Sequence, residues 1–247
     1  MSTQGSEGKP GRLAWWPEVR DRNSDREPLS RAQIVAAAIK LLDAEGPDGF
    51  SMRRLGQELG VGATSLYWHV KDKDQLIDLV LDEMVLEIRL DDDPGLPWRE
   101  RAACVAREFR GVVKRHRRLA PLVGARIGVG PNTLRGMEHL LTVLRAGGFD
   151  GDRLTLAFAS ILTYALGSAV MDTRELAGSG SAGKSVEELQ AVYAGMLASL
   201  PPDEFPNLVR LVTETGPDAM ADDAQFEYGL QRMLDGMVAD LARPTAG

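Results

Sequence analysis

Between Phe50 and Lys73 the chain gathers side chains able to read a DNA major groove. Leu55 and Leu59 lie one helical turn apart, Gly60 supplies a left-handed corner, and Val61 and Leu66 close a small core from the other side. With the buried positions taken by leucine and valine, Ala63, Thr64, Ser65, Tyr67, Trp68 and His69 turn outward on the second of two short helices. Ser51 is placed to cap the first, whose opening turn carries Arg53 and Arg54. Two cations there oppose the helix dipole by roughly a few tenths of a kcal/mol, which makes sense where phosphates face them. A merely solvated pair is the alternative. Two helices around a tight turn, the second with a free polar face, make a helix-turn-helix reading unit.

Other groups with chemical potential fare less well. Gly178-Ser-Gly-Ser-Ala-Gly183-Lys184-Ser185 matches the phosphate-loop pattern letter for letter, which keeps a nucleotide-binding enzyme as the alternative from another class. Such a loop needs a buried strand before it, whereas Met171 to Ala177 reads as the polar end of a helix, and Ser185-Val-Glu-Glu188 reads as a capping box. His69, His116 and His139 lack metal-ligand spacing, so neither a metal nor a cofactor is expected. His69, next to Trp68, reads as a phosphate donor rather than a catalyst. No Ser/His/Asp or Cys/His set is recognisable, and Cys104 in an alanine-rich helical pattern reads as a small buried apolar residue. Lys114-Arg-His-Arg-Arg118 reads as a solvated helix C-terminus.

The elements that hold the reading face are helical. Residues 1–28, rich in Gly, Ser, Pro and both charges, form an arm. Arg12, Arg20, Arg22 and Arg26 give it the means to enter a minor groove, while Trp15 and Trp16 suggest packing on the body instead. Ser30 and Gln33 form a capping box, Leu29 and Ile34 a hydrophobic staple, and Gly46-Pro47 ends that helix. Residues 29–75 are the three-helix DNA-binding domain. Asp72 and Gln75 open a connecting helix, residues 76–90, running to about Leu90, and Asp91 to Pro97 marks the boundary. Residues 97–243 hold helices over 98–115, 121–127, 131–146, 151–176, 186–200 and 225–241, with a short piece at 207–214. No alternating segment appears, so the chain is all-α with about nine to ten helices.

The stretch from Ser30 to Ile88, with Leu66-Tyr-Trp-His-Val70 followed by Lys73, strongly resembles the DNA-binding region of the tetracycline-repressor (TetR) family. The resemblance implies a repressor with a tetracycline-repressor-like C-terminal domain. Carried over to this chain, Met52, Arg53 and Arg54 approach base edges or backbone, Ala63, Thr64, Ser65 and Tyr67 meet bases, and Trp68, His69 and Lys73 meet phosphates. Ala63 and Thr64 stand where relatives carry Gln and Pro, so the operator sequence does not transfer. Val123 stands where tetracycline-binding relatives place a magnesium-coordinating histidine, so a tetracycline–magnesium inducer is not expected. The candidate effector wall is instead Val105, Phe109, Val112, Val123, Met137, Leu140, Leu144, Phe158 and Leu162, with Thr163 and Tyr164 as polar anchors, suiting a small, largely apolar molecule.

Net charge is −7 over 247 residues, and all of it lies beyond residue 74, because the signs balance before that point. An acidic body behind a neutral head repels bulk DNA while Arg53, Arg54, Lys71 and Lys73 approach phosphates locally. No apolar run is expected to approach the roughly 20 residues that span a bilayer, and Met1 to Pro10 holds no signal core, which points to the cytoplasm without membrane contact. The helices from Leu154 to Leu176 and from Gln225 to Leu241 are apolar on nearly every face and carry small residues, suiting a four-helix seam between two copies. A twofold homodimer reads double-stranded, palindromic operator DNA at half-sites roughly 34–36 Å apart. An effector in the C-terminal core would move the connecting helix and release the operator. A ligand-independent regulator or an activator of the same fold is the alternative among DNA binders.

Overall fold

The computed structural model describes residues 29–90, 93, 95–126, 130–177, 186–214 and 222–243, with the side chains of 172–190 and 222 excepted. Among these residues there are eleven α-helices and no strand. The first, α1 (Arg31–Gly49), starts as its cap dictates. Gln33 N donates to Ser30 Oγ at 3.1 Å and Ser30 N to Gln33 Oε1 at 2.8 Å. Gly46 breaks the helix at φ 75°, and Pro47 then starts one more turn, so the predicted stop is a kink.

Next come α2 (Met52–Glu58), α3 (Ala63–Leu66) and α4 (Lys73–Met84). Contrary to expectation, α4 ends at Met84. A 3-10 turn follows over Val85–Glu87 and Ile88 is extended, because Glu87 is drawn to partners on the next helix, α5 (Trp98–Arg115). A second 3-10 turn, Arg117–Leu119, leads into α6 (Ala120–Ala125), and α7 (Pro131–Ala146) and α8 (Gly151–Ala177) follow. Then come α9 (Val186–Ala198), α10 (Pro206–Glu214) and α11 (Asp222–Leu241).

Two main cores hold most of these helices. One joins Ile34, Leu42, Leu55 and Leu66 of the head with Leu76 and Val80 of α4, and also takes Val112 and Leu119 from beyond the expected boundary. The other joins Leu140, Leu144, Ile161, Leu230 and Leu234. Charged ties brace α5 against α11: Arg107 with Glu227, Arg99 with Asp235, and Arg110 with Asp223.

One expectation fails outright. Gly151–Met171 is a 21-residue window of mean hydropathy 1.7, long and apolar enough by composition to cross a membrane. Its inner face, Leu154, Ala157, Ile161, Ala165 and Ala169, is buried at helical spacing, as a core helix requires. The opposite face, with Leu156 and Met171, is exposed in the single chain. Cys104 also departs from expectation, because it sits half-buried at the edge of α5.

Candidate nucleic-acid interface

Two glycines shape the corner between α2 and α3. Gly60 adopts φ 66°, and a Cβ on Gly56 would lie 2.9 Å from the Val61 carbonyl oxygen, the group that accepts no such crowding because Val61 N already donates to Gly56 O at 2.8 Å. The sequence reading picked out Gly60 and passed over Gly56. A glycine five residues before the apolar residue that resumes the chain was the available signal.

Leu66 is fully buried and Val70 is 2% exposed, while Tyr67 is 51% and Trp68 86% exposed. This contrast within consecutive residues fixes the helix by its inner side and leaves its outer side to solvent. Thr64 and Ser65 are also exposed, and Ala63 and His69 are half-buried. Arg31, which no motif singles out, donates from Nε to the His69 carbonyl at 3.2 Å and so ties the start of α1 to the end of the reading segment.

The flanking cations divide. Arg53 is exposed. Arg54 is occupied by Glu45 at 2.9 Å and Glu58 at 3.4 Å, so it braces α2 against α1. Lys73 Nζ donates to the Phe50 carbonyl at 2.8 Å and sits 5.4 Å from the Phe50 ring centre, which steadies the start of α4. Met52 corrects the sequence reading. Its side chain is 7% exposed within the head's core, because the first turn of α2 faces inward, and it cannot reach a base.

The residues assigned to an effector wall do not form one surface. Val105, Leu140 and Leu144 are buried in the second core, with Phe109, Phe158 and Leu162 packed against it. Val112 belongs to the head's core, and Val123 packs between that core and a small cluster of Val113, Ala120 and Ala169. Met137 is half-buried. Tyr164 donates from its hydroxyl to the Phe226 carbonyl at 2.8 Å and stacks on the Phe226 ring with centroids 5.4 Å apart. Thr163 is exposed on the outer face of α8, so it is no anchor inside the core. The phosphate-loop match at 178–185 and the arm at 1–28 lie outside the described residues.

Two further contacts fasten α4 to the body. Asp82 of α4 is buried, and its carboxylate accepts from Thr133 N at 2.8 Å, Thr133 Oγ1 at 2.9 Å and Asn132 N at 3.3 Å. It thus caps α7 from another helix, supplying the negative charge that a helix N-terminus favours. Arg126, just past α6, holds Asp78 at 2.7 Å and also pairs with Asp74.

Known proteins share this arrangement. The family described as "Bacterial regulatory proteins, tetR family" matches residues 34–80, and "Tetracyclin repressor-like, C-terminal domain" matches residues 92–241. A HTH-type transcriptional regulator from Saccharopolyspora erythraea is 34% identical over 239 residues, covering 96% of this chain and 95% of that one. The HTH-type transcriptional repressor DrrR1 of Streptomyces coeruleorubidus is 33% identical, over 91% of this chain and 83% of its own length. Among solved structures, the TetR family protein ActR of Streptomyces coelicolor in complex with actinorhodin is 36% identical with a TM-score of 0.74, covering 87% of this chain and 100% of that one. With both halves of the chain matched and the reading helix presented as DNA recognition requires, the chain belongs to the TetR family of bacterial transcriptional regulators.

Proposed function

We propose that this protein is a homodimeric, cytoplasmic repressor that binds a palindromic operator through α3 and leaves it when a small, largely apolar effector enters its C-terminal domain. The observation that carries the reading is Trp68 at 86% exposure two residues from the fully buried Leu66. A bulky aromatic is held out in solvent on a rigid base, and phosphates offer its N–H a partner. Thr64, Ser65 and Tyr67 are the base readers, and Arg53, Trp68 and His69 the backbone contacts.

The exposed outer faces of α8 and α11, with Leu156, Met171, Tyr228 and Val238, are what a second copy would cover. Actinorhodin bound to the related ActR supports an effector of aromatic character here. Movement of α6 or α7 would reach α4 through Arg126 and Asp82, and a coupling of about 1–3 kcal/mol lowers operator affinity about 5- to 150-fold. Nothing in this scheme asks for catalysis.

Footprinting of the purified protein on the DNA upstream of its own reading frame tests the proposal. Two protected half-sites about one helical turn apart, weakened by actinorhodin or another aromatic effector, are expected. Uniform binding that ignores sequence would overturn the repressor reading.

A further inference from the structure

At the junction of head and body, the His116 ring lies between two carboxylates from different parts of the chain. Nδ1 is 2.8 Å from Asp43 Oδ2, on α1 of the DNA-binding head. Nε2 is 2.8 Å from Glu87 Oε1, in the 3-10 turn that ends α4. The residue itself is the C-cap of α5 and is 8% exposed. A neutral imidazole has one N–H, so its other nitrogen would point a lone pair at a carboxylate oxygen at hydrogen-bond distance, which is repulsive. Both contacts are attractive only when the ring carries two protons and a positive charge.

We propose that His116 is a positioning residue, a protonated clasp that locks the DNA-binding head and the end of α4 to the C-terminal body and opens when the ring loses its proton. The inference rests on the reading of the chain as an operator-binding regulator. The two contacts are satisfied together by the charged ring and not by the neutral one, so the clasp makes head orientation respond to the ring's charge.

The surrounding charges fit this role. From α1 comes Asp43, and from the turn after α4 comes Glu87, whose second oxygen accepts from Arg115 Nε at 3.1 Å. Arg118, in the turn after α5, donates to the Ala44 carbonyl and reinforces the same seam. Asp43, Lys114, Arg115, Arg117 and Arg118 line a recess of about 320 Å³ beside the seam. Burial pushes the Glu87 carboxyl up, but its contacts with His116 and then Arg115 outweigh this and hold it below its ordinary value.

Amide hydrogen exchange over residues 39–46, corrected for intrinsic rates, tests the clasp at about pH 6 and about pH 8. In the wild-type protein, protection is expected to fall about tenfold at the higher pH, the ratio that loss of one charge-assisted hydrogen bond represents. In Glu87→Gln the amide can donate to a bare ring nitrogen while Nδ1–H still reaches Asp43, so a neutral ring closes the clasp and protection stays within about twofold. Asp43→Asn serves the same logic from the other side if Glu87→Gln folds poorly.

Operator affinity over the same range is the second readout. His69 on the DNA face contributes equally to both proteins, so the ratio of wild-type to Glu87→Gln affinity isolates the clasp, and a change in that ratio with pH is expected. Wild-type protection that ignores pH, a Glu87→Gln variant that loses protection as the wild type does, or superimposable operator profiles would overturn it. A protein that binds no operator would sink the repressor reading while leaving the exchange result to judge the clasp.

Discussion

Residues 66 and 68 offer a separation of function that the structure makes quantitative. Leu66 is fully buried in the head's core, and truncating such a leucine to alanine costs about 2–5 kcal/mol, from lost transfer free energy plus the cavity left behind. Against a typical stability of about 5–15 kcal/mol, Leu66→Ala should loosen or unfold the head and abolish operator binding indirectly. Trp68 is 86% exposed, so Trp68→Ala should change stability by no more than about 0.5 kcal/mol. At the operator it should lose an indole hydrogen bond to a charged phosphate, about 1.5–3 kcal/mol, or about 10- to 150-fold in affinity. Urea denaturation at fixed protein concentration and fluorescence anisotropy on the footprinted operator measure the two effects separately. Because indole is neutral, the salt dependence of binding should persist in Trp68→Ala, whereas Arg53→Ala should reduce the slope of log K against log salt by about one. The reasoning fails if Trp68→Ala shifts the urea midpoint as Leu66→Ala does, or binds operator like the wild type.

Other outcomes follow from the ties that α4, α5 and α11 make. Asp82→Ala removes the cap of α7 and strands buried N–H donors, costing about 2–3 kcal/mol by urea denaturation, while Asp82→Asn keeps one acceptor and loses less. Gly130→Ala should destabilise as well, because its Cβ would fall 1.9 Å from Asp82 Cγ, and thermal melting should show a clearly lowered midpoint. At low pH the tie between α5 and α11 should fail: hydrogen bonds from Lys114 and Arg110 hold Asp223 below its ordinary value of 3.8, and one from Arg107 outweighs burial to hold Glu227 below 4.5. Folded values below unfolded ones mean that this stabilisation is present above the ordinary values and is lost as pH falls through the lowered ones, so α11 exchange protection should hold at neutral pH and drop below about pH 4. Glu227→Gln should start less stable and show a shallower acid limb.

What the sequence made legible here was local in origin. Ser30 with Gln33, Ser51, Asp72 and Gly60 act within a few residues of themselves, so their types and spacing determined the helix starts and the left-handed corner before any tertiary contact was known. Leu66 with Tyr67 and Trp68 was legible for the same reason, since one helical turn decides which of them faces inward. Met52 was misplaced because a two-turn helix is too short for its apolar stripe to be read against the core. Thr163 was misplaced because α8 is apolar on both faces, and composition does not say which face meets α5 and which meets solvent. The apolar length of that helix was obscured because its small and hydroxyl residues interrupt the run without lowering its average below what a bilayer tolerates.

The ties that set the head's angle were invisible for a different reason. Arg31 meets the His69 carbonyl, His116 meets Asp43 and Glu87, Arg126 meets Asp74 and Asp78, and Asp82 meets the start of α7. Each joins charged or polar groups on separate elements, and hydrophobic periodicity carries no record of which surface charge faces which. Those that cross from the body to α1 or α4 are where a change in the body would reach the reading helix. The apolar core continues from head to body through Val112 and Leu119, so hydrophobic packing alone would resist a change of angle without defining one. Directional hydrogen bonds can supply two discrete arrangements, because each donor either meets its carboxylate or does not. A regulator that switches between operator-bound and released geometries would place its specificity for angle in the polar contacts of α4 and the turn after it, so variants of Asp82, Arg126 or Glu87 should alter coupling more than operator recognition itself.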